Sequence, residues 1–268
     1  MNQGRQGLVQ RIGNRQRTDM TRVRAASLHL GISALVAVVS VVSMILVWYP
    51  PPLFQLLGGF ELLLLLTGVD VTLGPLLTFV VFKSGKKGLK FDLSVIALLQ
   101  LSAFIYGASV VFAARPGYIV FVKDRFEVVR VADVEPSRLA EARVERFRSF
   151  PLSGPQFIGS AFPTDPREAQ ELLFSSLKGG ADVPQLPKYY ADLEVVRGAI
   201  IEKSKPLAEL RKLNPQAVAS IDRLPEELNR KESELGFLPL RVRRSDAAVI
   251  IDKATGLPIR IVDLRPWK

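Results

Sequence analysis

One aspartate, Asp70, stands in a stretch, residues 62–82, that carries no other charge. An ionised carboxylate among aliphatic side chains is costly unless it is paired, so Asp70 is a candidate functional group. Two further polar side chains sit in similar apolar surroundings. Gln100 lies in the stretch 93–112, and His29, the one histidine of the chain, lies in the stretch 25–49. A carboxyl, an amide and an imidazole can tie helices together by hydrogen bonds, or they can receive polar groups of a partner's helix. For Asp70 both readings stand: a lock onto Gln100, or a grip on a partner's transmembrane helix. His29 reaches either for lipid headgroups or for a partner's carboxylate. Pro75, close to Gly68 and Gly74, lacks the N–H that would bond the Val71 carbonyl, so a kink one turn past Asp70 is expected. Asp70, His29, Gln100 and Pro75 are therefore the partner-binding candidates.

Catalytic chemistry has little to build on. The chain has no cysteine, which excludes disulfides, thiolate nucleophiles and cysteine metal sites. Residues 115–268 hold no histidine, so a hydroxyl–histidine–carboxylate triad cannot form there, and zinc lacks its usual ligands. Gly85-Lys86-Lys87-Gly88 lacks the spaced glycine and the hydroxyl of a phosphate-binding loop. An aspartyl dyad of Asp70 and Asp92 fails on depth. Asp92 is near a helix end and Asp70 near a helix middle, roughly 15 Å apart at 1.5 Å per residue. Paired acids such as Glu226 and Glu227 read as solvated helix charges. No enzyme, cofactor or metal is expected.

The elements that hold these residues are three apolar runs, 25–49, 62–82 and 93–112, each long enough to cross a bilayer as a helix of ~20 residues. The first is longer than a signal-peptide core and reads as an uncleaved anchor. It stops at Trp48-Tyr49-Pro50-Pro51-Pro52, where aromatics suit the headgroup level and prolines end a helix. No lysine or arginine occurs between Arg24 and Lys83. Six arginines precede the first run and four lysines separate the second from the third. The excess of positive charge predicts that the N-terminal tail and the second loop are cytoplasmic and that residues 50–59 and 115–268 lie outside. Asp70 is then twelve residues from the cytoplasmic end of its helix, ~18 Å, near the bilayer midplane.

The formal charge of +10 is concentrated on these flanks; residues 115–268 carry 26 bases against 22 acids. A basic strip without interleaved aromatics points to anionic lipid headgroups rather than to nucleic acid. Residues 1–24 form a basic tail; within it 1–19 is expected to be disordered, and Met20 is an alternative start to Met1.

Residues 115–268 read as an α+β domain with a mainly antiparallel sheet. A hairpin is expected at 118–122 and 126–131, and strands at 237–243, 247–252 and 258–264. Helices are expected at 136–148, from the Thr164-Asp165-Pro166 cap to Gly179-Gly180, at 192–203, 207–213 and 224–235. The domain organisation is thus 1–24 tail, 25–114 three membrane helices, 115–268 sheet domain.

Several strings carry a further signal: RAASLHLGISALVA (24–37), LVWYPPPLFQLLGG (46–59), LLLLLTGVDVTLGPLLTFVVF (62–82), KKGLKFDLSVIALLQLSAFIYG (86–107) and ARPGYIVFVKDRFEVV (114–129). In order and content they resemble the TfpX/TfpZ-type type IV pilin accessory proteins, over roughly residues 22–131, and the Pro266-Trp267 ending also fits. The resemblance implies a non-enzymatic accessory factor of the bacterial inner membrane, with its C-terminal domain periplasmic, acting as a chaperone or assembly modulator for a type IV pilin. Its partners would be that pilin and the lipid bilayer with its anionic headgroups, with no nucleic acid and no small-molecule substrate. Two other functions are compatible with three spans and a soluble domain. One is a membrane transporter subunit, for which a single midplane acid and no inverted repeat are sparse material. The other is a membrane-anchored periplasmic sensing module, which would need a cytoplasmic output domain.

Overall fold

The apolar runs fold as α1 (Arg22–Ser43, extended by a π-helical turn Met44–Trp48), α2 (Gly59–Val81) and α3 (Leu89–Ala114). All three are long and apolar enough to cross a membrane. The computed structural model describes residues 20–163, 165–178 and 180–267. The expected disorder of 1–19, the Thr164 cap and Gly179 therefore lie outside the described residues. Large apolar side chains such as Leu35, Leu64 and Leu98 are exposed along α1–α3, as a lipid-facing surface requires.

The chain forms two compact units. One holds the residues up to Val38 together with Leu65–Tyr106; the other holds Val39–Leu64 and Gly107–Lys268.

In the second unit a sheet of eight strands is built from β1 (Pro116–Val122), β2 (Arg125–Arg130), β3 (Gln156–Ser160), β4 (Tyr190–Ala191), β5 (Lys205–Pro206), β6 (Leu235–Arg241), β7 (Ala247–Asp252) and β8 (Pro258–Val262). The order is β4-β3-β1-β2-β6-β7-β8, with β5 also paired to β6. The longer helices that pack with it are α4 (Pro166–Leu177), α5 (Leu193–Lys203), α6 (Leu207–Leu213) and α7 (Val218–Glu227).

The sheet is mixed, so the mainly antiparallel expectation holds only in part. The hairpin β1–β2 and the β6–β7–β8 meander are antiparallel. However, β3 runs parallel to β1, and β2 parallel to β6. A parallel neighbour needs a long crossover, and the stretches from β2 to β3 and from β2 to β6 supply it. Short strands that add to an existing edge carry little pattern of their own, so β3, β4 and β5 were not foreseen.

Both faces of the sheet are covered. Ile119 and Phe121 point into one apolar cluster, and Tyr118, Val120 and Val122 into another. In β7, Val249 and Ile251 join the first cluster, while Ala248 and Ile250 pack with α6 and α7. Double burial explains why β1 and β7 read as unbroken apolar runs rather than alternating ones. The first cluster also takes in Leu53 and Leu56, both fully buried, from a single helical turn between α1 and α2. The short connection after the first apolar helix is thus part of the sheet domain's core.

The helix expected at 136–148 is reduced to a turn, Pro136–Leu139, and a 3-10 turn, Glu145–Phe147. The two buried anchors, Ala142 and Phe147, both serve the second cluster. Five residues apart, they would be rotated by roughly 140° on one helix, so the chain unwinds to bury both. The helix expected at 224–235 starts earlier, as α7. Ile221, Leu224 and Leu228 share the face that packs on α6, and the chain is already extended at Leu235.

Candidate functional site

Asp70 is built into α2 at a weak point of that helix. Pro75 lies inside the helix, preceded by Gly74. The glycine has a definite task. A Cβ on residue 74 would stand 2.0 Å from Nε2 of Gln100, so only the absence of a side chain lets α3 send Gln100 across. The Gln100 amide then donates to the backbone carbonyl of Asp70 at 3.3 Å. Gln100 thus links α3 to α2 at Asp70. Oδ1 of the Asp70 carboxyl is buried and has no hydrogen-bond partner among the described residues. The residue as a whole is 9% exposed. A buried acceptor without a donor is unfavourable, and such groups mark strain or a place where a partner's donor belongs.

His29 is half-buried and meets a neighbouring helix. Its Nδ1 and the Thr78 hydroxyl lie 2.6 Å apart, joining α1 to α2. Thr78 is buried, as are Ser33 and Thr67. Of the candidate residues, then, Gln100 and Asp70 meet through the main chain, His29 is engaged by Thr78, and Pro75 stands beside the crossing point. Gly74 and Thr78 were missed. A helix of leucine, valine and phenylalanine that also keeps small and hydroxyl residues at 67, 68, 74 and 78 held the signal for them.

The second unit carries its own polar constellation at the ends of the apolar helices. Trp48 donates its indole N–H to the Leu152 carbonyl at 2.9 Å and meets the Phe112 ring edge-on at 5.4 Å. Tyr49 is fully buried and donates to the Val111 carbonyl at 3.1 Å. Arg115, 2% exposed, lies 3.7 Å over the Phe112 ring and donates to the Phe112 and Pro151 carbonyls. Burial pulls its guanidinium below the ordinary value, opposed by Tyr49. Glu61, in the first turn of α2, forms an exposed ion pair with Arg244 at 2.5 Å. Gly58 sits beside that pair with a φ of +74°, and a side chain there would press on both partners.

Comparison with known proteins adds what geometry alone does not. The family model described as "Fimbrial assembly protein FimB" matches residues 18–58, which span α1 and the proline turn. The fimbrial assembly protein of serogroup I from Dichelobacter nodosus is 34% identical over 249 residues, covering 90% of this chain and 94% of the relative. The chain belongs to the fimbrial assembly protein FimB family. A second family member, the serogroup E1 protein of the same organism, is 33% identical over the same shares of both chains. The protein of serogroups C1 and C2 is 36% identical over 132 residues, 48% of this chain and 99% of that one. No solved structure matches. The family likeness covers nine-tenths of the chain and so extends over the sheet domain, beyond the membrane strings that carried the initial resemblance.

Proposed function

We propose that this FimB-family chain is a non-enzymatic accessory factor in fimbrial assembly, of the TfpX/TfpZ type. In this reading it is seated in the bacterial inner membrane with its N-terminus cytoplasmic and its sheet domain periplasmic. It acts as a chaperone or modulator for a type IV pilin. The observation that carries the reading is the unpartnered buried Oδ1 of Asp70 within an apolar helix. A partner's helix that brings a hydrogen-bond donor or a cation to that depth would supply what the carboxyl lacks. Gln100 bonds the Asp70 backbone through the gap left by Gly74, and Pro75 lies in the same helix just beyond.

Other observations agree. The relatives are named fimbrial assembly proteins. The basic flanks favour a cytoplasmic tail and second loop. The turn holding Leu53 and Leu56 packs in the core of the sheet domain, which supports residues 50–59 and that domain lying on one side, as the charge rule predicts.

The test is co-purification of pilin with the full chain after crosslinking in membranes. Asp70→Leu and His29→Leu, singly and together, are expected to cut pilin recovery at least tenfold while the protein itself accumulates normally. Recovery at the wild-type level would remove the intramembrane grip from this reading.

A further inference from the structure

The parallel pairing of β2 with β6 is short. It consists of Phe126 opposite Leu240 and Glu127 opposite Arg241. Past these residues the two strands part, and a cleft of about 450 Å³ opens between β2 and the segment that follows β6. That size is within the usual range for a small-ligand site. Its charged lining is Arg130, Arg241 and Arg243 against Glu127 and Asp133, and Leu57 closes one wall.

The two carboxylates are already engaged. Asp133 takes two hydrogen bonds from the Arg130 side chain, at 2.5 and 3.0 Å. Glu127 accepts from Arg125 at 2.8 Å and lies 3.5 Å from Arg241. Arg243 is exposed and has no ion-pair partner among the described residues. The cleft therefore carries three arginines against two carboxylates: Arg130 is engaged by Asp133, Arg241 shares Glu127 with Arg125, and Arg243 supplies the excess positive charge. Arginine forks suit phosphate oxygens, which they bind through paired N–H groups.

Location decides what kind of phosphate. Leu57 lies two residues before α2 begins. Arg244, next to Arg243, is paired to Glu61 in the first turn of α2. The cleft is thus fastened at the end of an apolar helix, at the level where a bilayer has its headgroups. We infer that this cleft binds the phosphate of an anionic phospholipid, with Arg241 and Arg243 as its principal ligands. The inference rests on the membrane seat of the function proposed above and is independent of any pilin contact, so loss of the pilin grip leaves it standing.

The test uses the full chain in detergent, titrated with short-chain phosphatidylglycerol, short-chain phosphatidylcholine, inorganic phosphate and a glutamate-rich peptide, each followed by thermal unfolding. Phosphatidylglycerol is expected to raise the melting temperature by several degrees, and phosphatidylcholine to do so far less. Arg241→Ala with Arg243→Ala is expected to weaken the phosphatidylglycerol response at least tenfold in concentration. The control Lys212→Ala is expected to leave it unchanged. Arg243→Lys, which keeps the charge at an exposed position, guards against a folding artefact and should retain part of the response. Equal responses to the two lipids, or an undiminished response in the double variant, would overturn the site. A full response to inorganic phosphate would show an anion site that does not need a lipid. A response to the peptide alone would assign the cleft to an acidic protein partner. Either of these last results would also overturn the inference.

Discussion

At the scale of single residues, the polar groups of the apolar helices are placed by what is missing around them. Gln100 reaches the Asp70 carbonyl because residue 74 has no side chain. In an isolated helix, glycine to alanine would be stabilising by about 1 kcal/mol. Here Gly74→Ala displaces the Gln100 amide, the far end of a flexible side chain, and forfeits its bond to the Asp70 carbonyl, ~0.5–1.5 kcal/mol. Gly74→Ala is therefore expected to change the melting temperature in detergent little, and Gln100→Ala to have no further effect once Gly74→Ala is present. Additive losses in the double variant would show that the two residues do not meet. Asp70 was identifiable from composition alone, because one charge in a long apolar run is conspicuous. Gln100 was matched to Asp70 by its depth, but that its amide bonds the main chain and that His29 meets Thr78 was not legible, because three helices of nearly uniform hydrophobicity give no sign of which faces meet.

At the scale of elements, ties between segments far apart in sequence carry the arrangement. Glu168, in the first turn of α4, accepts hydrogen bonds from Lys188 at 2.9 Å and from the Tyr189 hydroxyl at 2.8 Å. These hold its carboxyl below the usual value of 4.5 and hold Lys188 above 10.5. A carboxyl lowered in the folded state stabilises above its ordinary value, and the gain disappears as pH falls through the depressed one. The matching lysine contribution is complete below its ordinary value and disappears as pH rises through the raised one. The melting-temperature gap between wild type and Glu168→Gln is expected to be small, as partly exposed pairs are. It should be constant near neutrality and close as pH falls below about 4.5. A gap that widens on acidification would contradict the pairing. The hairpin β1–β2 and the β6–β7–β8 meander were legible from runs of branched and aromatic residues bounded by turns. The helix at 136–148 was misread because its composition is helical while its two core anchors are five residues apart.

At the scale of the whole molecule, the apolar helices and the sheet domain are not simply successive segments. Leu53 and Leu56, between α1 and α2, are buried in the cluster that also holds Phe121, Phe126 and Val249. Leu53→Ala is therefore expected to destabilise the sheet domain by ~2–5 kcal/mol, the usual cost of emptying a buried leucine site. Hydrogen exchange in β1 and β7 of the full chain would reveal it as faster opening. Unchanged protection in those strands would mean that the turn is only a linker.

From the chain's residues alone came three apolar helices, their basic flanks, one isolated carboxyl and a family likeness, because each is a matter of composition and local order. Tertiary structure decided that β2 lies parallel to β6, that a cleft opens where they part, and that Gly74 admits Gln100 to the Asp70 backbone. Those features depend on which distant surfaces meet, and a pairing between residues more than a hundred positions apart leaves no periodic trace in either segment.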